Sequence, residues 1–255
     1  MTALYTPPLD AFEAILDAFE YDHPEYDRES MRTMIDLCGT FSVQEILPTN
    51  RDGDLQGIQF DTDTHSVTLP KSFHDAYAKM RELGLLTLGL NKKYGGGGAP
   101  AVLTACLNEI LLACNLSMAI SLGLTQSAVR AIDMYGDETL KKYYLPSMIT
   151  GRWSGTMCLT EPHCGTDLGL IKTKAEPHED HYLLSGQKIW ISGGDNDLVE
   201  NTVHLVLARL PDAPDGIKGI SLFLVPKTDL NGQRNPIYCT GLEHKMGIHA
   251  SPTCF

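Results

Sequence analysis

Two stretches, MCLTEPHCGTD at residues 157–167 and GQKIWISGG at residues 186–194, carry the chemistry of this chain. In the first, the Thr160 hydroxyl can serve the edge of a planar ring, while Gly165 lets backbone amides approach an anion closely and Thr166 adds another hydroxyl. In the second, Trp190 brings an indole and Ser192 a further hydroxyl. Each motif alone reads equally as plain structure, because Gly-Thr-Asp is a common tight turn and a strand tryptophan is commonly core. Together they offer the kinds of groups that can hold a planar, hydrogen-bonding ligand and its diphosphate.

Working outward, short β-rich runs surround the motifs at residues 154–159, 181–184, 188–192, 203–208 and 220–225, separated by polar turns. That supply of strands predicts a small antiparallel barrel or sandwich. Upstream the period changes to helical. Phe12, Ile15, Leu16 and Phe19 recur at helical spacing from Asp10, and Asp27 opens a second helix with Met31, Met34 and Ile35 on one face. Residues 48–69 interrupt the period with Pro, Gly and Asp, and Pro70 then starts a helix to about Leu83. Pro100 begins another with Leu103, Leu107, Ile110 and Leu111; residues 115–135 form the next, and Asp137 caps a last one carrying Leu140, Tyr143 and Tyr144. The expected fold class is α+β: an all-helical domain over residues 1–152 followed by an antiparallel, barrel-like β domain over residues 153–255. The final residues, HKMGIHASPTCF, read as a chain cut in mid-strand.

Composition sets limits on function. A net charge of −12 argues against non-specific nucleic-acid binding, and any diphosphate site must be built locally from amides and a few basic side chains. Seven cysteines without C-x-x-C spacing fit reduced thiols rather than a zinc or dithiol site. The start has no basic n-region, and no apolar run reaches the length of a membrane span, so a cytoplasmic, non-membrane protein is expected. His163 beside Cys164 invites a metal or Cys–His nucleophile reading, but neighbours on a strand point apart and no further ligands follow at useful spacing, so no metal is expected. Gly95–Gly98 lacks both the Lys-Ser/Thr pair and the fingerprint spacing of a phosphate loop and reads as a flexible turn.

Taken together, TEPHCGTD, GQKIWISGG, HLVLARLPDAPDGIKGISLFLVP, EHKMGIHASPTC and the glycine-rich KKYGGGGAP (residues 92–100) resemble the acyl-CoA dehydrogenase family. The branch most resembled contains the 3-methylthiopropionyl-CoA dehydrogenases. The resemblance extends through most of the chain and implies a helical domain, a β domain and a C-terminal four-helix domain, with FAD held between domains and across a subunit interface. Only the first two are expected within these residues. By position, Met157, Leu159, Thr160, Gly165, Thr166, Trp190, Ile191 and Ser192 would contact FAD, and Thr166, Ser121 and Leu122 would face the acyl-CoA. The implied reaction is α,β-dehydrogenation of an acyl-CoA to a trans-2-enoyl-CoA, in a homo-oligomer that passes electrons to an electron-transfer flavoprotein.

Two substitutions depart from the family's usual pattern: Met157 stands where an aromatic residue is frequent, and Thr166 where a serine is. The family's catalytic glutamate belongs to the third domain, so the base is expected beyond residue 255. Glu161 and Asp167 are nearby carboxylates, but turn and cap roles suit them better. Two rivals stand beside this reading: a catalytically silent fragment or binding module, and an acyl-CoA oxidase on the same fold.

Overall fold

The computed structural model describes residues 5–19 and 23–255. Helix α1 (Leu9–Ala18) buries Phe12 and Leu16 while Ile15 and Phe19 stay exposed. Helix α2 (Arg28–Phe41) opens on Asp27, whose carboxylate accepts from the Ser30 amide at 2.7 Å, and it buries Met31, Ile35 and Cys38 at helical spacing.

Residues 48–56 are helical, against expectation. From α2 the chain passes through a π-helical turn, Ser42–Ile46, into α3 (Leu47–Gln56), which stops at Gly57 with φ of 65°. The wide turn lies immediately ahead of Pro48, where a regular α-turn would meet a missing N–H and a ring pressing on the preceding carbonyl. Gly53 also has a reason to sit inside this helix: a Cβ there would stand 2.7 Å from the Phe73 ring and 2.8 Å from Ala250. The rest of the interval forms a hairpin of β1 (Gln59–Asp61) and β2 (Ser66–Thr68), so the N-terminal half is not wholly helical.

Helix α4 (Lys71–Glu82) follows Pro70 and α5 (Ala101–Cys114) follows Pro100. Asn115 then caps α6 (Leu116–Tyr135) by accepting from the Met118 amide, and Asp137 caps α7 (Glu138–Ile149) by accepting from the Leu140 amide. The glycine run before α5 is a clamp rather than a flexible turn. Amides of Gly96, Gly97, Gly98 and Ala99 donate to carbonyls of residues 87–91. A Cβ on Gly96 would overlap the Leu90 carbonyl, so only glycine fits there, and these donors are committed within the protein.

Strands β3 (Trp153–Cys158), β4 (Lys174–His178), β5 (His181–Ser185), β7 (Asn201–Arg209) and β8 (Ile220–Pro226) build the main sheet. The sheet is mixed, which corrects the antiparallel expectation. β3 and β7 run parallel from Trp153↔Asn201 to Cys158↔Val206, while β8 is antiparallel to β7. The long excursion between β3 and β7 lets the chain return in the same direction, and both are largely buried, as parallel strands tend to be. β4 touches β7 at one rung, Lys174↔Arg209, and pairs antiparallel with β5. A separate ladder joins β6 (Ile191–Ser192) to β9 (Thr253–Cys254). Residues 188–190 therefore lie outside the ladder, although a strand over 188–192 was expected.

Helix α6 lies directly on β3. The Gly155 amide donates to Thr125 Oγ1 at 3.1 Å, and a Cβ on Gly155 would stand 2.6 Å from Ala128 Cβ. The helical core also takes in Cys239, Ala250 and Cys254, with Leu198 and Val199 packed against it.

Candidate functional site

The first motif leaves β3 at Cys158 and turns back at once. Glu161 and Cys164 exchange backbone hydrogen bonds at 2.9 and 3.0 Å around Pro162–His163, a two-residue reversal. That turn brings Gly165 alongside Thr160, so that a Cβ on Gly165 would stand 3.2 Å from the threonine methyl. Thr160 is half-buried, and Gly165 and Thr166 are exposed. Met157, on β3, is also exposed.

The second motif runs beside the first. The Ile189 amide donates to the Thr160 carbonyl at 2.9 Å, and Lys188 Nζ donates to the Leu159 carbonyl at 3.0 Å. Trp190 follows with φ of 57°, left-handed backbone that a bulky residue rarely adopts. The residue is 52% exposed, and its ring lies under Lys245, whose Nζ is 5.6 Å from the ring centroid. An indole on an exposed residue is a surface a flat ligand can cover. Ser192 is half-buried on β6, whereas the Ile191 side chain points into the protein, leaving only its backbone for a ligand at the rim.

Helix α6 reaches this second motif. Ser121 Oγ lies 3.4 Å from where a Cβ on Gly193 would stand, and Gly193 itself adopts φ of 65°. Ser121 and Leu122 line a small cavity of about 20 Å³ with Phe73, Tyr77 and Val199. Thr166 is outside that lining. The structure thus groups Thr160, Gly165, Trp190 and Ser192 around two adjoining segments and brings Ser121 to their edge, while Thr166 stays on the exposed turn.

Beneath the motifs lies a buried polar knot that sequence reading missed. Glu161, 3% exposed, accepts from the Thr173 amide (3.0 Å), the Thr173 hydroxyl (2.6 Å) and Lys188 Nζ (2.9 Å) on Oε1, and from the Lys172 amide (2.7 Å) on Oε2. Burial pushes its pKa up, but the hydrogen bonds from Lys188, Thr173 and Lys172 outweigh that and hold it at about 2. A carboxylate so committed cannot take a proton from substrate at neutral pH. Asp167 instead accepts from the Gly169 amide and caps a short 3₁₀ turn, Leu168–Leu170. Glu161, His163 and Cys164 converge within 4.8 Å, yet the Lys188 ammonium and three other donors already fill the carboxylate, and His163 Nε2 sits 3.0 Å from the Leu170 carbonyl. That donor set suits an ion pair, not a cation site. The seven cysteines are all free and buried. Lys188 leaves no periodic mark in the sequence, because its partner lies 27 positions away.

A cavity of about 560 Å³ opens on the other side of Lys188 and Ile191, walled by Cys158, His204, Asp195 and Lys227 among others. There Lys227 pairs with Asp195 at 2.5 Å. Among the described residues no helix is long and apolar enough to cross a membrane.

Comparison with known proteins agrees with this architecture. Residues 28–152 match the acyl-CoA dehydrogenase N-terminal domain and residues 156–255 the acyl-CoA dehydrogenase middle domain. The chain is 40% identical to 3-methylmercaptopropionyl-CoA dehydrogenase of Ruegeria pomeroyi, over 91% of this chain and 40% of that protein. It superposes on the acyl-CoA dehydrogenase of Bacillus anthracis solved with FAD at a TM-score of 0.70 and 27% identity, covering 91% of this chain and 36% of that one. A structure of the electron transferring flavoprotein of Acidaminococcus fermentans also matches, at a TM-score of 0.68 and 26% identity over 88% of this chain and 53% of that one. The chain spans about 40% of the length of the curated relatives it matches.

Proposed function

This chain belongs to the acyl-CoA dehydrogenase family, and from that premise we propose that it forms the FAD-binding part of an enzyme that dehydrogenates a short acyl-CoA at its α,β-bond. The 40% identity to a dehydrogenase named for 3-methylmercaptopropionyl-CoA supports a methylthio-substituted propionyl thioester as substrate. The match to an electron transferring flavoprotein structure supports a protein of that type as electron acceptor.

One observation carries the reading: the 2.9 Å hydrogen bond from the Ile189 amide to the Thr160 carbonyl, which makes one cradle of two motifs distant in sequence. The residues fit the cofactor. Thr160 and Ser192 bring hydroxyls to the ring's polar edge, Trp190 covers an aromatic face, Gly165 and Thr166 meet the diphosphate, and Met157, Leu159 and the Ile191 backbone complete the contacts. FAD, when bound, supplies the hydride acceptor for the substrate β-carbon. The protein's share is to orient the thioester, exclude water, and aim donors at the thioester oxygen so that charge developing at the α-carbon is stabilised. Glu161 is bound up in its ion pair and Asp167 in its turn, so we assign the α-proton to a carboxylate outside residues 1–255. Ser121 and Leu122, at the α6 cavity, face the acyl end.

The visible spectrum of the purified chain tests this directly. Bound oxidised flavin gives a yellow protein, which bleaches when a suitable acyl-CoA and the base-bearing polypeptide are present. Thr160→Ala and Trp190→Ala each weaken FAD binding about tenfold, the equivalent of one lost positioned contact. Unchanged FAD content in both variants removes the site assignment, and a colourless wild-type protein favours a silent binding module.

A further inference from the structure

We infer that the buried Glu161–Lys188 ion pair is a positioning device, holding the segment that carries Thr160, just past β3, against the segment that carries Trp190, just ahead of β6. The ligand named for the cradle rests on the flavin reading above; the brace itself is a property of the chain. Lys188 Nζ bonds the Leu159 carbonyl and the Glu161 carboxylate, the residues on either side of Thr160, and Ile189 takes the Thr160 carbonyl between them. Residues 188 and 189 therefore grip 159, 160 and 161 in succession. Trp190 comes next, in a left-handed conformation that persists only where its neighbours are fixed.

Glu161 anchors the grip to the sheet. Its carboxylate holds the Lys172 and Thr173 amides, and the Thr173 carbonyl accepts from the Arg209 amide of β7 at 2.9 Å. With its carboxyl held far below the usual range, Glu161 stays a carboxylate wherever the protein is folded near neutrality. A buried ion pair adds little net stability over apolar side chains of the same shape, because desolvation offsets the attraction. What it does fix is direction: two hydrogen bonds from Lys188, one of them among the four that reach the Glu161 carboxylate, define one arrangement of the two motifs.

The test compares Lys188→Met, the apolar double variant Glu161→Met with Lys188→Met, and Lys188→Arg against Met31→Ala, a helical-core variant of similar thermal destabilisation. Exchange of the Ile189 amide in the ligand-free chain is read by NMR or mass spectrometry, and FAD affinity by fluorescence quenching. We expect Ile189 exchange to rise, and FAD affinity to fall, at least about tenfold in the first two variants relative to Met31→Ala, with Lys188→Arg recovering most of both. The double variant keeps the test open if the single one misfolds, since it leaves no uncompensated charge. Ile189 exchange no faster than in Met31→Ala overturns the brace. Wild-type chain that takes up no FAD counts against the flavin reading alone, because amide exchange still decides the positioning role.

Discussion

His204 illustrates how one residue can carry a pH dependence that its surroundings dictate. It sits opposite Thr156 on the parallel β3–β7 rung, 5% exposed, with Nδ1 2.8 Å from the Thr156 hydroxyl. Burial, with a smaller contribution from nearby Lys227, drives its pKa down from 6.5 to about 4. The folded protein therefore holds it neutral while the unfolded chain takes up a proton below 6.5. Stability is full above that value and declines as pH falls from 6.5 towards 4, by roughly 3 kcal/mol in all for an isolated site. His204→Asn keeps a hydrogen-bonding partner for Thr156 but cannot titrate. Denaturant unfolding between pH 7 and 4 should show a shallower decline in that variant, and parallel profiles would falsify the assignment. Glu161 acts lower down: its stabilisation is complete above about 4.5 and is lost as pH falls towards 2.

Contact between α6 and β3 places the helix that reaches the cradle. Glycine at 155 is required because a Cβ there would meet Ala128 Cβ of α6 at 2.6 Å and Met148 Cε of α7 at 2.8 Å. The methionine tip can move, but Ala128 is fixed to its helix. Gly155→Ala should therefore destabilise by about 1–3 kcal/mol through overpacking, measured as a drop in the urea midpoint at unchanged slope. Lifting α6 also carries Ser121 away from Gly193, and under the proposed assignment of Ser121 to the acyl end, chain-length preference should change more than FAD retention. A variant as stable as wild type would show that the helix tolerates separation from the strand.

Across the whole molecule, loops of the C-terminal half lock onto the helical half. Asp197 accepts from the Leu69 amide at 3.0 Å and lies 3.1 Å from His74 Nε2, while His249 reaches Asp54 at 2.9 Å. Ala250 fills the space that Gly53 leaves open in α3. Because these contacts join both halves of the chain, helical circular dichroism and the near-ultraviolet signal of Trp153 and Trp190 should disappear in one coincident thermal transition. Asp197→Ala removes the partner of the Leu69 amide and should lower stability by about 1–3 kcal/mol. Two well-separated transitions in the wild-type protein would show that the halves unfold independently.

Most of this architecture is local enough to read from residues alone. Apolar spacing and the caps at Asp27 and Asp137 mark helices because a helix satisfies its own backbone within four residues. The two motifs behind the proposed cradle stand out for a similar reason: each is short and keeps its residues in sequence order. Other features needed the folded chain. The parallel direction of β3 and β7, the helical course through Pro48, the clamp at Gly96 and the Glu161–Lys188 brace each join groups whose meeting depends on the return path of the backbone. Hydrogen bonds and ion pairs between segments far apart leave no period in the sequence, so only tertiary structure decides which donor meets which acceptor.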